Sequence, residues 1–249
     1  MKKGLNFILI MLFYGCDSVN SLDCFQDTGN IIEEEFTVAP FKKIQVWERV
    51  KLIVSQSDTQ SVRVETGENL INEILVKVED SILTVSDRNS CNFVRDYDVT
   101  RVYVSSPNIE EIRNSSGLTV ESSGVLRFHG LSLIAIDPLG DETYHIDGDF
   151  DLDLDVITLG ISAAGISTFY LRGKTQFANF GLYDGDVRVE AANLEIGNLN
   201  FIHRSTNKLI VNPLDILRGE IRRIGDVIAI NRPPIVEVTQ LFTGRLIFE

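Results

Sequence analysis

The chain has 249 residues, 44% hydrophobic and 24% charged, which excludes a globally disordered polymer and allows one large all-β domain or two small ones. Its 36 acidic residues outnumber 23 basic ones. The formal net charge of −13 excludes nucleic acid or an anionic membrane surface as the main partner, since both need a basic patch.

In chain order, the first element is an address. Lys2 and Lys3 precede a mostly apolar run from Leu5 to Tyr14, about half the length of a bilayer-spanning helix. A basic start, a short apolar stretch and the small Gly15 describe an export signal over residues 1–15. "FYGC", ending at Cys16, resembles the lipobox of bacterial lipoproteins, although it lacks the preferred Leu and carries the bulky Tyr14. The resemblance implies cleavage before Cys16 and attachment of diacylglycerol and usually a further acyl chain, such as palmitate, to that residue. More than one chain anchors stably where a single one is marginal. An ordinary signal peptide cut nearby and an uncleaved anchor are the alternatives. Loss of Lys2 and Lys3 on processing takes the net charge from −13 to −15. Cys24 and Cys91 then remain as an even pair in an oxidising compartment. They are read as a disulfide, with a buried free Cys91 thiol as the alternative.

Residues 16–35 read as a lipidated tether, because "DSVNSLDCFQDTGN" is polar and lacks periodicity. "NLINEIL" (Asn69 to Leu75) is the one stretch with room for a helical turn. Otherwise residues 36 to 104 alternate apolar with polar in short runs such as "VKLIVSQ", "SVRVET" and "TRVYVSS". Ser57-Asp58, Gly67-Glu68 and Asp80-Ser81 punctuate them. From Ser105 a small residue repeatedly precedes a short strand. Gly148, Gly165, Gly185, Gly225 and Gly244 mark a step of about 20 residues, with "NKLIV" (Asn207 to Val211) filling the double gap. Stacked rungs of a β-solenoid account for this period, and a β-sandwich of regular hairpins is the alternative.

The run from Phe41 to Gly117 resembles the opening of the head GIN domain of the auto-transporter adhesin family of exported bacterial proteins. The matching features are Phe41, Ile44 and Val46 in the first strand, "VRVE" (Val62 to Glu65), "NLI" (Asn69 to Ile71), "CNFVRDY" (Cys91 to Tyr97) and "VYVSSPNIEEI" (Val102 to Ile112). "LRGEIRRIGDVIAINRPPIVEV" is similar to the family's closing rung, but Arg222-Arg223 stand where smaller residues are usual. The resemblance implies an all-β fold over 36–249: a right-handed β-helix-like solenoid with an N-terminal part of short strands and tight turns. It carries no binding residue over.

The most conspicuous cluster is "HIDGDFDLDLDV", where Asp147, Asp149, Asp151, Asp153 and Asp155 alternate and are expected on one face of one strand. Asp149, Asp151 and Asp153 are a weak cation candidate, since calcium takes six to eight oxygens, but a straight strand does not wrap an ion. The simpler reading is a solvated face that blocks edge pairing. Carboxylate pairs on this face also raise a polysaccharide-active enzyme, although alternation alone defines no acid–base pair. Tyr144, Phe169, Tyr170 and Tyr183 are expected in the core or in rung-to-rung stacks. His129, His145 and His203 are scattered without ligand spacing, and no nucleophile elbow or phosphate loop is present.

No catalytic residue, metal or cofactor is therefore expected. The reading is a lipoprotein of the cell envelope, at the outer membrane on its periplasmic or surface face. It acts as a non-catalytic, adhesin-like module that binds an envelope protein or glycan over an extended polar face. A scaffold self-associating through open solenoid ends, as "GRLIFE" raises, is the alternative.

Overall fold

Alternating apolar and polar residues need strands with one face buried, and strands are what this chain makes. The computed structural model describes residues 27–89 and 99–249. Cys16, Cys24 and Cys91, with the lipid and disulfide readings attached to them, lie outside the described residues.

Ten short strands come first: β1 (Ile31–Phe36), β2 (Lys43–Val46), β3 (Lys51–Gln56), β4 (Ser61–Gly67), β5 (Ile74–Glu79), β6 (Ile82–Asp87), β7 (Arg101–Ser106), β8 (Glu111–Asn114), β9 (Val120–Leu126) and β10 (Gly130–Ala135). Four long ones follow: β11 (Phe150–Ala163), β12 (Thr168–Leu182), β13 (Arg188–His203) and β14 (Leu209–Ile221). Then come β15 (Val227–Ala229), β16 (Ile235–Gln240) and β17 (Leu246–Phe248). All belong to one sheet around a single core. A 3-10 turn, Ile71–Glu73, sits inside the stretch expected to form a helical turn.

Two courses of pairing run through that sheet. One passes β1–β4–β7–β3–β9 and then the first halves of β11 to β14, ending on β15 and β17. The other passes β5–β6–β2–β8–β10 and the second halves of β11 to β14, ending on β16. The pairings β1–β4, β4–β7 and β5–β6 are antiparallel, and the rest are parallel. Phe150, Phe169, Val189, Leu209, Val227 and Leu246 stand in register, so each layer advances by about 20 residues. The glycine step of the sequence is thus the length of chain that climbs one face, turns and returns one layer on. "NKLIV" occupies its layer through Leu209 and Val211.

Two expectations need correction. The tether read over 16–35 ends earlier, because Ile31–Phe36 pairs antiparallel with β4. Three consecutive glutamates hide this strand: it is an edge with little to bury, so the hydrophobic alternation is lost. Nor do all five aspartates share one strand. β11 starts at Phe150, leaving Asp147 and Asp149 ahead of it and only Asp151, Asp153 and Asp155 on its outer side.

Inward columns fill the space between the courses. The Phe150 and Phe169 rings, both fully buried, stack with centroids 4.9 Å apart. Backbone carbonyls at the turn corners are met by buried hydroxyls, for example Ser205 Oγ donating to Val187 O at 2.7 Å and Ser167 Oγ to Ile146 O at 3.2 Å. His203 breaks this pattern. It takes an inward slot in register with Leu182 and Ile221, is fully buried, and neither ring nitrogen has a hydrogen-bond partner. Burial pushes its pKa down to about 4, outweighing the backbone carbonyls of Asn207 and Gly225 that favour the cation.

Truncating the ring stack leaves a cavity in a core that cannot close over it. Phe169→Ala is expected to cost about 3–5 kcal/mol of unfolding free energy in urea titrations. A value under about 1 kcal/mol would contradict the stacked core. The neutral His203 makes the fold acid-sensitive: its folded pKa of about 4 lies below the ordinary value of 6.5, so the unfolded chain binds the extra proton. The stability it affects is intact above pH 6.5 and falls as pH drops from there toward 4, by roughly 3 kcal/mol in all. His203→Leu, matching its column neighbour Leu182, is expected to lose less stability than the parent across that window.

Candidate binding groove

The outer side of the first course carries the aspartates. Asp151 and Asp153 alternate with buried leucines on β11, and the next layer places Arg172 beside them. Arg172 donates from Nη1 to Asp151 at 2.5 Å and from Nε to Asp153 at 2.8 Å, and Lys174 lies 3.5 Å from Asp155. Asp149 accepts the backbone N–H of Thr168 at 2.6 Å. Of the weak cation candidate Asp149, Asp151 and Asp153, the last two thus meet a guanidinium from the neighbouring strand, and Asp149 meets a backbone N–H. Among the described residues no group of three or more His, Cys, Asp or Glu is placed to hold a metal ion.

The other candidates are dispersed. His145 lies 3.5 Å from Glu48 on the surface, His203 is in the core, and His129 is exposed on the opposite course. Tyr144 stacks on Trp47 at 5.3 Å with the Arg113 guanidinium 4.2 Å from its ring centroid, and Phe169 belongs to the core stack. Tyr170 and Tyr183 depart from the expectation of core or stack, being 44% and 39% exposed.

Tyr183 leads to the feature that sequence reading missed. On the outer side of the second course, layers run in register as Ser132, Gly160, Asn179 and Asn200, with Ser162, Gly181 and Ile202 beside them. Glycine and serine in successive outward slots leave the sheet uncovered, and an open groove of about 740 Å³ lies there. Tyr183 follows the end of β12 and folds back over Gly181. A Cβ at that position would fall into its ring, so glycine leaves the room that this placement of Tyr183 needs. Asn200 donates to Asn179 Oδ1 at 3.3 Å, forming an amide pair across two layers. At the far rim Asn108 accepts the His129 backbone N–H at 3.4 Å, and Lys42 neutralises Glu110 at 2.9 Å. The glycines were visible in the sequence. Their alignment into one floor was not, because it depends on the register between strands of unequal length.

Comparison with known proteins adds the family. Residues 40–233 match the model described as "putative auto-transporter adhesin, head GIN domain". No curated protein matches the sequence. A solved structure of a "putative adhesin" from Bacteroides fragilis superposes with a TM-score of 0.74 at 19% identity, over 88% of this chain and 97% of that one. A "putative lipid binding protein" from Parabacteroides distasonis gives 0.62 at 15%, over 89% and 97%. A "putative adhesin" from the same species gives 0.63 at 14%, over 89% and 98%. At these identities the likeness establishes the fold alone.

Removing the guanidinium leaves two carboxylates facing each other across the β11 surface. Arg172→Ala is expected to lower stability by about 1 kcal/mol, because the pair is half-exposed. The loss should shrink in molar salt, where the Debye length is about 3 Å. An unchanged loss at high salt would assign the effect to packing instead.

Proposed function

The chain belongs to the head GIN domain family, and we propose that it serves as an envelope-anchored, non-catalytic binding module of adhesin type. One observation carries this reading: the second course exposes an open groove of mixed polar and apolar lining whose floor and walls come from successive layers. Such a surface suits an extended ligand better than a small enclosed substrate. The acidic face that raised catalysis supports the same reading, since Asp151, Asp153 and Asp155 are engaged by Arg172 and Lys174.

The finer picture of the fold is part of the proposal. Parallel pairing with a regular advance of about 20 residues per layer supports a β-solenoid of the right-handed β-helix type. Anchoring is proposed through acyl chains on Cys16, on the strength of "FYGC" after an apolar run. Among the described residues no helix is long and apolar enough to cross a membrane. The partner is an envelope protein or a glycan.

Metabolic labelling with an alkyne palmitate is expected to mark the parent chain and not Cys16→Ser, and the variant should leave the membrane fraction. Labelling of both would remove Cys16 as the anchor. The full chain is also expected to bind intact cell-surface or envelope preparations saturably. If it saturates on none of them, the binding-module reading fails.

A further inference from the structure

We propose that the groove on the second course takes an uncharged oligosaccharide lying along the stacking direction. This rests on the binding-module reading and adds the ligand class. Recognition of a polyol needs neutral donors and acceptors set at the spacing of its rings, with an aromatic surface for its C–H face. The groove supplies each of these.

The amides come first. Asn179 and Asn200 occupy consecutive layers, which lie about 4.8 Å apart, close to the length of one sugar unit. An amide side chain offers two donors and two acceptor lone pairs, and the single bond between the two uses one of each. The remainder can meet hydroxyls on adjacent sugars. Ser132 and Thr158 add hydroxyls in the layers before them. A linear glycan therefore meets a polar group at each layer, where a compact ligand would meet one layer only.

The aromatic surface is built in. The phenol end of Tyr183 lies over Gly181, and the residue is 39% exposed. Phe177, 41% exposed, is not part of the groove's lining but stands beside it, in register with the lining residue Thr158. Rings in these positions offer stacking faces to the apolar side of a pyranose, and Tyr183 keeps its hydroxyl for a hydrogen bond.

Charge and shape narrow the class. Glu110, the carboxylate on the rim, is paired with Lys42, and the described residues lining the groove include neither lysine nor arginine. A chain with a net charge of −13 repels uronic or sulfated glycans unless a basic site draws them in. An acyl chain would need an enclosed apolar tunnel. The groove is open, and the interior between the courses is filled by Phe150, Phe169 and Phe180.

A few neutral hydrogen bonds and one or two stacks give about millimolar affinity per chain, so a multivalent probe is required. The full chain should be applied to immobilised tetra- to hexasaccharides of glucose, galactose, mannose and N-acetylglucosamine, with uronic and sulfated chains alongside. Retention on at least one neutral series is expected. Tyr183→Ala and Asn200→Ala should each weaken it about tenfold. Gly160→Tyr, which fills the floor, should abolish it, and Tyr170→Ala, on the other course, should leave it unchanged. Should Gly160→Tyr fail to fold, the Tyr183→Ala and Tyr170→Ala contrast decides. The proposal is overturned by retention on acidic glycans alone, by equal losses from Tyr170→Ala and Tyr183→Ala, or by capture of envelope proteins with no neutral glycan retained. That last outcome leaves the binding-module reading standing, whereas failure to bind any envelope preparation removes both.

Discussion

Parallel strands stacked in register carry the rest of this structure. Once Phe150 pairs with Phe169 and Phe169 with Val189, every later residue of those strands has its neighbours and its face assigned, because side chains alternate with a period of two. A slip of one residue would turn the buried leucines of β11 outward and bring its aspartates into the core. The inward columns of Phe, Leu, Val and Ala hold the register by shape, and the stacked Phe150 and Phe169 rings stand among them. The antiparallel strands β1, β4 and β5 cover the first parallel layers, so the edge at that end is formed by β1, with its three glutamates, and by β5.

The same register makes both outer surfaces. On the first course it sets an acidic strand beside Arg172 and Lys174, which turns Asp151, Asp153 and Asp155 into a partly neutralised, solvated face. On the second it aligns glycines and serines from three layers, which opens a groove that single strands would not form. Acidic surface and neutral groove are thus two products of one pairing scheme. They stand on opposite courses, so a ligand in the groove does not face the aspartates. His203 is an inward slot filled by a titratable group whose ring nitrogens have no hydrogen-bond partner, and it makes the core responsive to acid without touching either surface.

Much of this is legible in the chain alone. Gly165, Gly185, Gly225 and Gly244 announce the layers, and "NKLIV" sits where the missing one belongs. The family resemblance follows the same strands. The order of the first layers was hidden: β2 and β3 lie between β6/β7 and β8/β9, so neighbours in sequence are not neighbours in the sheet. Nothing in a local pattern says which of several short alternating strands will pair, since each satisfies the in-and-out rule equally well. The groove was hidden for a related reason. Gly130, Gly160 and Gly181 look like turn residues one at a time and become a floor only when their columns are known.

By itself the sequence determined the all-β class of this protein: alternation demands strands, and a regular glycine step marks their recurrence along the chain. These properties are local or summed along the chain, so no contact has to be known to state them. Which strands pair, which carboxylates find a guanidinium, where Tyr183 lies, and that Ser132, Gly160, Asn179 and Asn200 share one surface were decided only by the tertiary structure. Those facts depend on register between segments far apart in the chain. Register is chosen by how all the inward side chains pack at once.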